Sequence, residues 1–139
     1  NAHKKMTFVT FLMTQNRPIN INLLKIKLPL SAFLSITHRV SGILIFFLVL
    51  PLTVMVFSEL THSQDSFDKF MHSYRSNLGI KLGCIGLMLI FQYHVFTGIR
   101  HMLMDFHILN QSLSSSFKSA VVTLILFIVN ALLTFWVMR

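Results

Sequence analysis

Three long stretches of the 139-residue sequence contain no Asp, Glu, Lys or Arg: residues 40–58, 82–99 and 119–138. At a rise of about 1.5 Å per residue, a helix over each stretch is roughly 27–30 Å long, which matches the hydrocarbon core of a bilayer. The pattern predicts an all-α integral membrane protein of one domain, with transmembrane helices over residues 31–58, 79–106 and 117–138. Pro51 lies inside the first helix and is expected to kink it.

The composition agrees with a membrane protein and excludes several other classes. Hydrophobic residues make up 54% of the chain and charged residues 12%, about half the charged share of a soluble domain. A single cysteine, Cys84, cannot build an intrachain disulfide, a zinc cluster or a cysteine-ligated iron–sulfur centre. The net charge of +8 would indicate nucleic acid in a soluble protein. In a membrane protein it reports topology instead, so no nucleic-acid partner is expected.

The basic residues are distributed unequally across the predicted membrane. The side that bears the N-terminus carries eight basic residues and one acidic residue, whereas the other side carries four basic and three acidic residues. Because Lys and Arg accumulate on the cytoplasmic side, residues 1–30 are predicted to be cytoplasmic, or to face the matrix in a mitochondrion. They do not resemble a signal peptide. Arg100 and Lys118, on the basic side, are interpreted as snorkelling residues that set topology and contact anionic membrane lipids.

Polar residues inside the predicted spans recur on one face of each of two helices. On the first helix, spacings of three and four residues align Ser31, Ser35, His38, Arg39 and Gly42. On the second helix, the same spacings align His94, Thr97, Gly98, His101 and Asp105. Ionisable groups in hydrocarbon are costly and usually face a bundle interior or a cofactor. The alternative is that His38, Arg39 and Asp105 are interfacial residues whose side chains extend to water.

His94 is the histidine that the spacing places deepest, six residues or about 9 Å inside the boundary marked by Arg100. A neutral imidazole at that depth either hydrogen-bonds across helices or binds a metal such as haem iron, and the residues alone leave both interpretations open. If His94 binds haem, the spacing places no second histidine of this chain at a similar depth across the porphyrin. Another subunit would then supply the second ligand.

Two long motifs make the sequence resemble a known family. Residues 17–20 (RPIN), Pro29 and residues 35–42 (SITHRVSG) precede and open the first helix, and residues 94–105 (HVFTGIRHMLMD) end the second. In this order, they closely resemble the cytochrome b membrane-anchor subunits of succinate dehydrogenase, respiratory complex II. The resemblance implies the larger of two anchor chains, which together form a helical bundle. It also implies that this chain has no catalytic site of its own for succinate.

The resemblance further implies specific partners and a cofactor. In the family, two anchor chains bind a flavoprotein subunit and an iron–sulfur subunit, share one haem b and reduce ubiquinone to ubiquinol. His94 matches the axial ligand of the haem iron, and the small anchor supplies the other. His38 and Arg39 match residues near the haem propionates, and His101 belongs to the same haem-binding motif.

The quinone site is implied by the same motifs. Ser35 and Arg39 match residues of the ubiquinone pocket, and they lie one turn apart at the basic edge of the first helix. Asp105, at the same membrane level on the second helix, is a candidate proton relay. The site therefore combines a hydroxyl donor, a fixed cation and a carboxylate.

Residues 17–23 (RPININL) resemble the corresponding segment of gammaproteobacterial members of the family. This resemblance favours a bacterial inner membrane over a mitochondrial one. Two alternative functions remain open. One is a fumarate reductase anchor that uses menaquinone. The other is a non-redox protein, such as a small transporter subunit, in which the polar faces line a substrate path.

Overall fold

The computed structural model describes residues 28–110 and 112–138, over which the fold is all-α and contains no strand. A π-helical segment, Ile45–Val49, joins the first two α-helices. The α-helices are, in chain order, α1 (Leu30–Leu44), α2 (Leu50–His62), α3 (Gln64–Ser76), α4 (Leu78–Asp105) and α5 (Leu113–Met138). The predicted N-terminal cytoplasmic segment lies almost entirely outside the described residues.

Three of the helical stretches are long and apolar enough to cross a membrane. α1, the π-helical segment and α2 form one continuous first spanning helix, Leu30–His62, and α4 and α5 are the second and third. The predicted architecture of three transmembrane helices is therefore confirmed. Helix ends differ from the predicted ones by at most four residues, because a helix continues into the polar interface beyond the uncharged run that indicates it.

Pro51 changes the hydrogen bonding of the first spanning helix. Proline has no N–H, so the carbonyl of Phe47, four residues earlier, has no α-helical donor. Directly before the proline the helix widens into the π-helical segment, where the Leu50 N–H donates to the Ile45 carbonyl. The disturbance expected at Pro51 thus takes the form of a single π-helical turn.

The helix α3 was not predicted from the sequence. Its N-terminus is capped by the Ser63 hydroxyl, which accepts a hydrogen bond of 3.1 Å from the Ser66 N–H. At its other end, the Tyr74 hydroxyl donates to the Met138 carbonyl at 2.9 Å, which holds α3 against the end of α5. The uncharged runs did not indicate α3, because it carries charged residues and does not cross the membrane.

α4 is the central spanning helix, and three consecutive polar residues join it to its neighbours. The Gln92 amide donates to the Thr134 hydroxyl of α5 at 2.8 Å. The Tyr93 hydroxyl bonds to the Thr37 hydroxyl of α1, and the next residue, His94, bonds to α1 as well. These residues lower the hydropathy of the second uncharged run, but each has a partner on another helix.

The Gln92–Thr134 bond provides a test of this packing. In a double-mutant cycle with Gln92→Ala and Thr134→Val, we expect a coupling free energy of about 0.6 kcal/mol, the average for interhelical hydrogen bonds in membranes. The measurement is the free energy of unfolding in detergent. In the control cycle, Gln92→Ala is combined with Thr61→Val, whose hydroxyl bonds only within its own helix. Equal coupling in the two cycles would contradict the packing.

Candidate functional site

α1 and α4 contact each other through one glycine from each helix. A Cβ added to Gly42 of α1 would lie 3.2 Å from His94 Cε1, and a Cβ added to Gly98 of α4 would lie 3.2 Å from His38 Nε2. Each imidazole therefore occupies the space that the glycine of the other helix leaves open. His38, the earlier residue of the α1 pair, meets Gly98, the later residue of the α4 pair, and Gly42 meets His94. The two helices therefore run antiparallel.

This reciprocal contact follows from a short sequence pattern that occurs once in each helix. α1 contains His-x2-Ser-Gly from His38 to Gly42, and α4 contains His-x2-Thr-Gly from His94 to Gly98. In both, the glycine follows the histidine by four residues, so the two share a helix face. When two antiparallel helices with this spacing pack together, the histidine of each lies against the glycine of the other. The shared spacing is visible in the sequence, but spacing along one helix does not show which helix it faces.

A buried serine orients His94 through a hydrogen bond to its ring. The Ser41 hydroxyl, whose residue is 5% exposed, lies 2.7 Å from the His38 carbonyl and donates to it. The same oxygen lies 2.9 Å from His94 Nδ1. Nδ1 also lies 3.3 Å from the His38 carbonyl, which can only accept, so an N–H on Nδ1 satisfies both contacts. A neutral imidazole that donates from Nδ1 carries its lone pair on Nε2.

The donor set of His94 fits one axial position of a haem. A histidine that binds iron presents one ring nitrogen as a lone pair and donates the other N–H to an oxygen, which is the state that Ser41 favours. The ring of His38 cannot bind the opposite side of the same iron in this arrangement. The two rings stack with centroids 4.2 Å apart and planes 12° apart, and a porphyrin does not fit between rings in contact.

His101 completes a cluster of three histidines. Its ring centroid lies 5.1 Å from that of His38, with the planes tilted by 49°. Among the residues that the structure describes, no group of three or more His, Cys, Asp and Glu side chains is arranged to hold a metal ion. The stacking of His38 on His94 was not expected, because spacing along one helix measures depth and takes no account of side chains that converge from facing helices.

Arg39 lies beside the α1–α4 contact rather than in it, whereas Ser35 lies only about 20° around α1 from Gly42, whose face meets α4. Ser35 is half-buried and Arg39 is exposed, and at 100° per residue Arg39 lies about 100° around the helix from His38. Neither makes a hydrogen bond or an ion pair with another residue of the described ranges. The predicted single polar face of α1 is thus divided, with His38 and Gly42 directed to α4, and Arg39 directed outward. Asp105 is exposed at the end of α4.

Arg100 is not the snorkelling residue that the sequence indicated. It is only 3% exposed, and its guanidinium lies between α4 and the first turns of α5. Nε donates to the Ser119 hydroxyl at 3.2 Å, and Nη2 donates to the carbonyl and the hydroxyl of Ser116 at 3.1 and 3.2 Å. In the sequence, the signal for this contact is a pair of serines, Ser116 and Ser119, three residues apart near the start of α5. Lys118 is exposed, as predicted.

The chain is similar to proteins of one family over most of its length. Residues 13–134 match the family described as "Succinate dehydrogenase/Fumarate reductase transmembrane subunit". The chain is 38% identical over 93 residues to the succinate dehydrogenase cytochrome b556 subunit of Coxiella burnetii, an alignment that covers 67% of this chain and 74% of that relative. It is 33% identical over 97 residues to the succinate dehydrogenase cytochrome b560 subunit of Reclinomonas americana, with 67% of each chain covered.

Substituting the glycines tests the reciprocal contact. Gly42→Leu and Gly98→Leu place a side chain where an imidazole lies, so we expect each to destabilise the fold by about 1–3 kcal/mol. Gly83→Leu is the matched control, because a Cβ at Gly83 meets nothing within 4 Å. Thermal unfolding of the purified protein, with the subunits that accompany it, is the measurement. Unfolding of Gly42→Leu and Gly98→Leu at the wild-type temperature would contradict the contact.

Proposed function

The chain belongs to the succinate dehydrogenase/fumarate reductase transmembrane subunit family, and we propose that it is the larger membrane anchor of a succinate:ubiquinone oxidoreductase. In this role it forms a helical bundle with a smaller anchor chain and binds the iron–sulfur and flavoprotein subunits. It has no independent activity, because succinate is oxidised in the flavoprotein. The relatives named above are succinate dehydrogenase subunits, which favours succinate oxidation over the fumarate reductase alternative.

The orientation and topology follow from charge. The excess of basic residues beside the N-terminus supports a cytoplasmic N-terminus, and residues 17–23 (RPININL) favour a bacterial inner membrane. The soluble subunits bind on this side, where Ser35, Arg39 and Asp105 also lie. The transporter alternative is less well supported, because Gln92, Tyr93 and His94 have partners on neighbouring helices and do not line an open path.

His94 is the axial ligand that this chain contributes to haem b, and the Ser41–His94 hydrogen bond is the observation that carries the proposal. Ser41 accepts a hydrogen bond from Nδ1, which orients the ring and leaves Nε2 to present its lone pair. When bound, haem b supplies a one-electron redox centre. The small anchor supplies the second ligand, since the stacked His38 does not. His38, His101 and Arg39 provide N–H donors for the carboxylates of the propionates.

Ser35 and Arg39 form this chain's part of the ubiquinone site. They are separated by one turn of α1, and their polar groups have no hydrogen bond within the described residues, so they can meet a ligand that approaches α1 from outside. The Ser35 hydroxyl donates to a quinone carbonyl, and the Arg39 guanidinium stabilises the negative charge that builds on the ring oxygens during reduction. Asp105, exposed at the same membrane level, relays protons from water.

The haem assignment is tested with His94→Leu and Ser41→Ala. Because His94→Leu removes the ligand, we expect loss of the low-spin b-type spectrum of the purified complex. Ser41→Ala retains the imidazole but removes the nearer acceptor of Nδ1, leaving the His38 carbonyl at 3.3 Å, and we expect haem affinity to fall about 10–100-fold. Absorption spectra and haem titration are the measurements. His72→Leu, which changes an exposed histidine of α3, is the control. A low-spin spectrum with full haem content in His94→Leu would exclude this ligand.

The quinone site is tested with Ser35→Ala and Arg39→Leu. Removing a donor that stabilises developing charge lowers turnover by about 10²-fold, and we expect a loss of that order in succinate–ubiquinone activity. Succinate oxidation with an artificial acceptor that takes electrons before the quinone should be unchanged. Ser58→Ala and Arg75→Leu, exposed residues on the other side of the membrane, are matched controls. Unchanged quinone reduction would place the site elsewhere, and equal loss in both assays would indicate failed assembly.

A further inference from the structure

We propose that a groove between α4 and α5, on the basic side of the membrane, binds one anionic phospholipid. The groove has a volume of about 550 Å³. Arg100 and Lys118 supply its positive charges, and most of its other lining is apolar, with Phe96, Ile99, Val122 and Leu126. The site thus combines a place for a phosphate with an apolar channel for acyl chains.

The charge of Arg100 is not compensated within the protein. All its hydrogen bonds go to neutral oxygens of Ser116 and Ser119. Over residues 28–110 and 112–138 the one ion pair is Lys69–Asp65, which lies in α3. Charged side chains at membrane depth are rare, and they usually pair with an opposite charge or face a cavity. An anion in the groove would provide the missing partner.

The bonds of Arg100 to α5 do not use all the nitrogens of its guanidinium. Ser116 and Ser119 accept from Nε and Nη2, whereas Nη1 has no acceptor among the described residues. Arg100 lines the groove, so a phosphate bound there would lie beside its guanidinium.

Lys118 adds a second cation at the same groove. It is exposed and has no hydrogen bond or ion pair with the residues the structure describes, so its ammonium can bind a ligand without breaking a contact. Basic pockets between transmembrane helices on the cytoplasmic side are typical binding sites for anionic lipid headgroups. A quinone is neutral and would not compensate Arg100. A free phosphate would gain nothing from the apolar lining.

The test measures lipid binding to the complex as purified from its membrane. After detergent delipidation, phosphatidylglycerol or phosphatidylcholine is added, and bound lipid is counted by native mass spectrometry. We expect the wild type to retain one phosphatidylglycerol. Because each basic residue near a lipid phosphate adds about 1 kcal/mol, Lys118→Ala should bind it about fivefold more weakly. Arg75→Ala, which removes an exposed cation on the opposite side, should bind it as the wild type does.

Arg100→Gln should also lose the lipid, but Arg100 joins α4 to α5, so Lys118→Ala is the decisive variant. Wild-type affinity of Lys118→Ala for phosphatidylglycerol would overturn the proposal. Equal retention of phosphatidylcholine, or displacement of the lipid by inorganic phosphate alone, would overturn it as well. Absence of bound lipid from the purified complex would also overturn the proposal. That is the result expected if another subunit covers the groove.

Discussion

In hydrocarbon, a polar side chain must find its partner inside the protein, and the organisation of this chain depends on how α4 meets that constraint. Tyr93 and His94 bond to α1, whereas Gln92 and Arg100 bond to α5. These contacts hold three helices whose outer surfaces are mainly apolar and contribute little to packing against one another. The same contacts orient the imidazole that we assign to haem, so stability and function share one set of hydrogen bonds.

Much of the fold could be predicted because the signal is local. An uncharged run of about 20 residues indicates a spanning helix without knowledge of its neighbours. Interhelical pairing is not local, and the sequence therefore did not predict that His38 stacks on His94, or that Arg100 bonds to Ser116. The charged helix α3 was missed for another reason, since its cap at Ser63 is a weak signal beside the strong hydropathy of the spans.

The sites that we propose lie on different parts of the three spanning helices, and Arg39 is the one residue assigned to both the haem and the quinone. The α1–α4 contact orients His94, while Arg39 is exposed beside that contact, one turn of α1 from Ser35. The groove between α4 and α5 presents Arg100 and Lys118 on a third surface. On the proposed assignments, a quinone and a structural lipid would use different residues of the same membrane leaflet, and the haem would lie deeper in the bundle.

The central claim is that Ser41 presents His94 Nε2 to a haem iron shared with another chain. The most direct measurement is an experimental structure of the intact complex at a resolution that shows the axial ligands. The account predicts His94 Nε2 on the iron, its Nδ1 within hydrogen-bond distance of Ser41, and a histidine of a second chain on the opposite side. Iron bound by two ligands of other chains, with His94 away from it, would contradict the account.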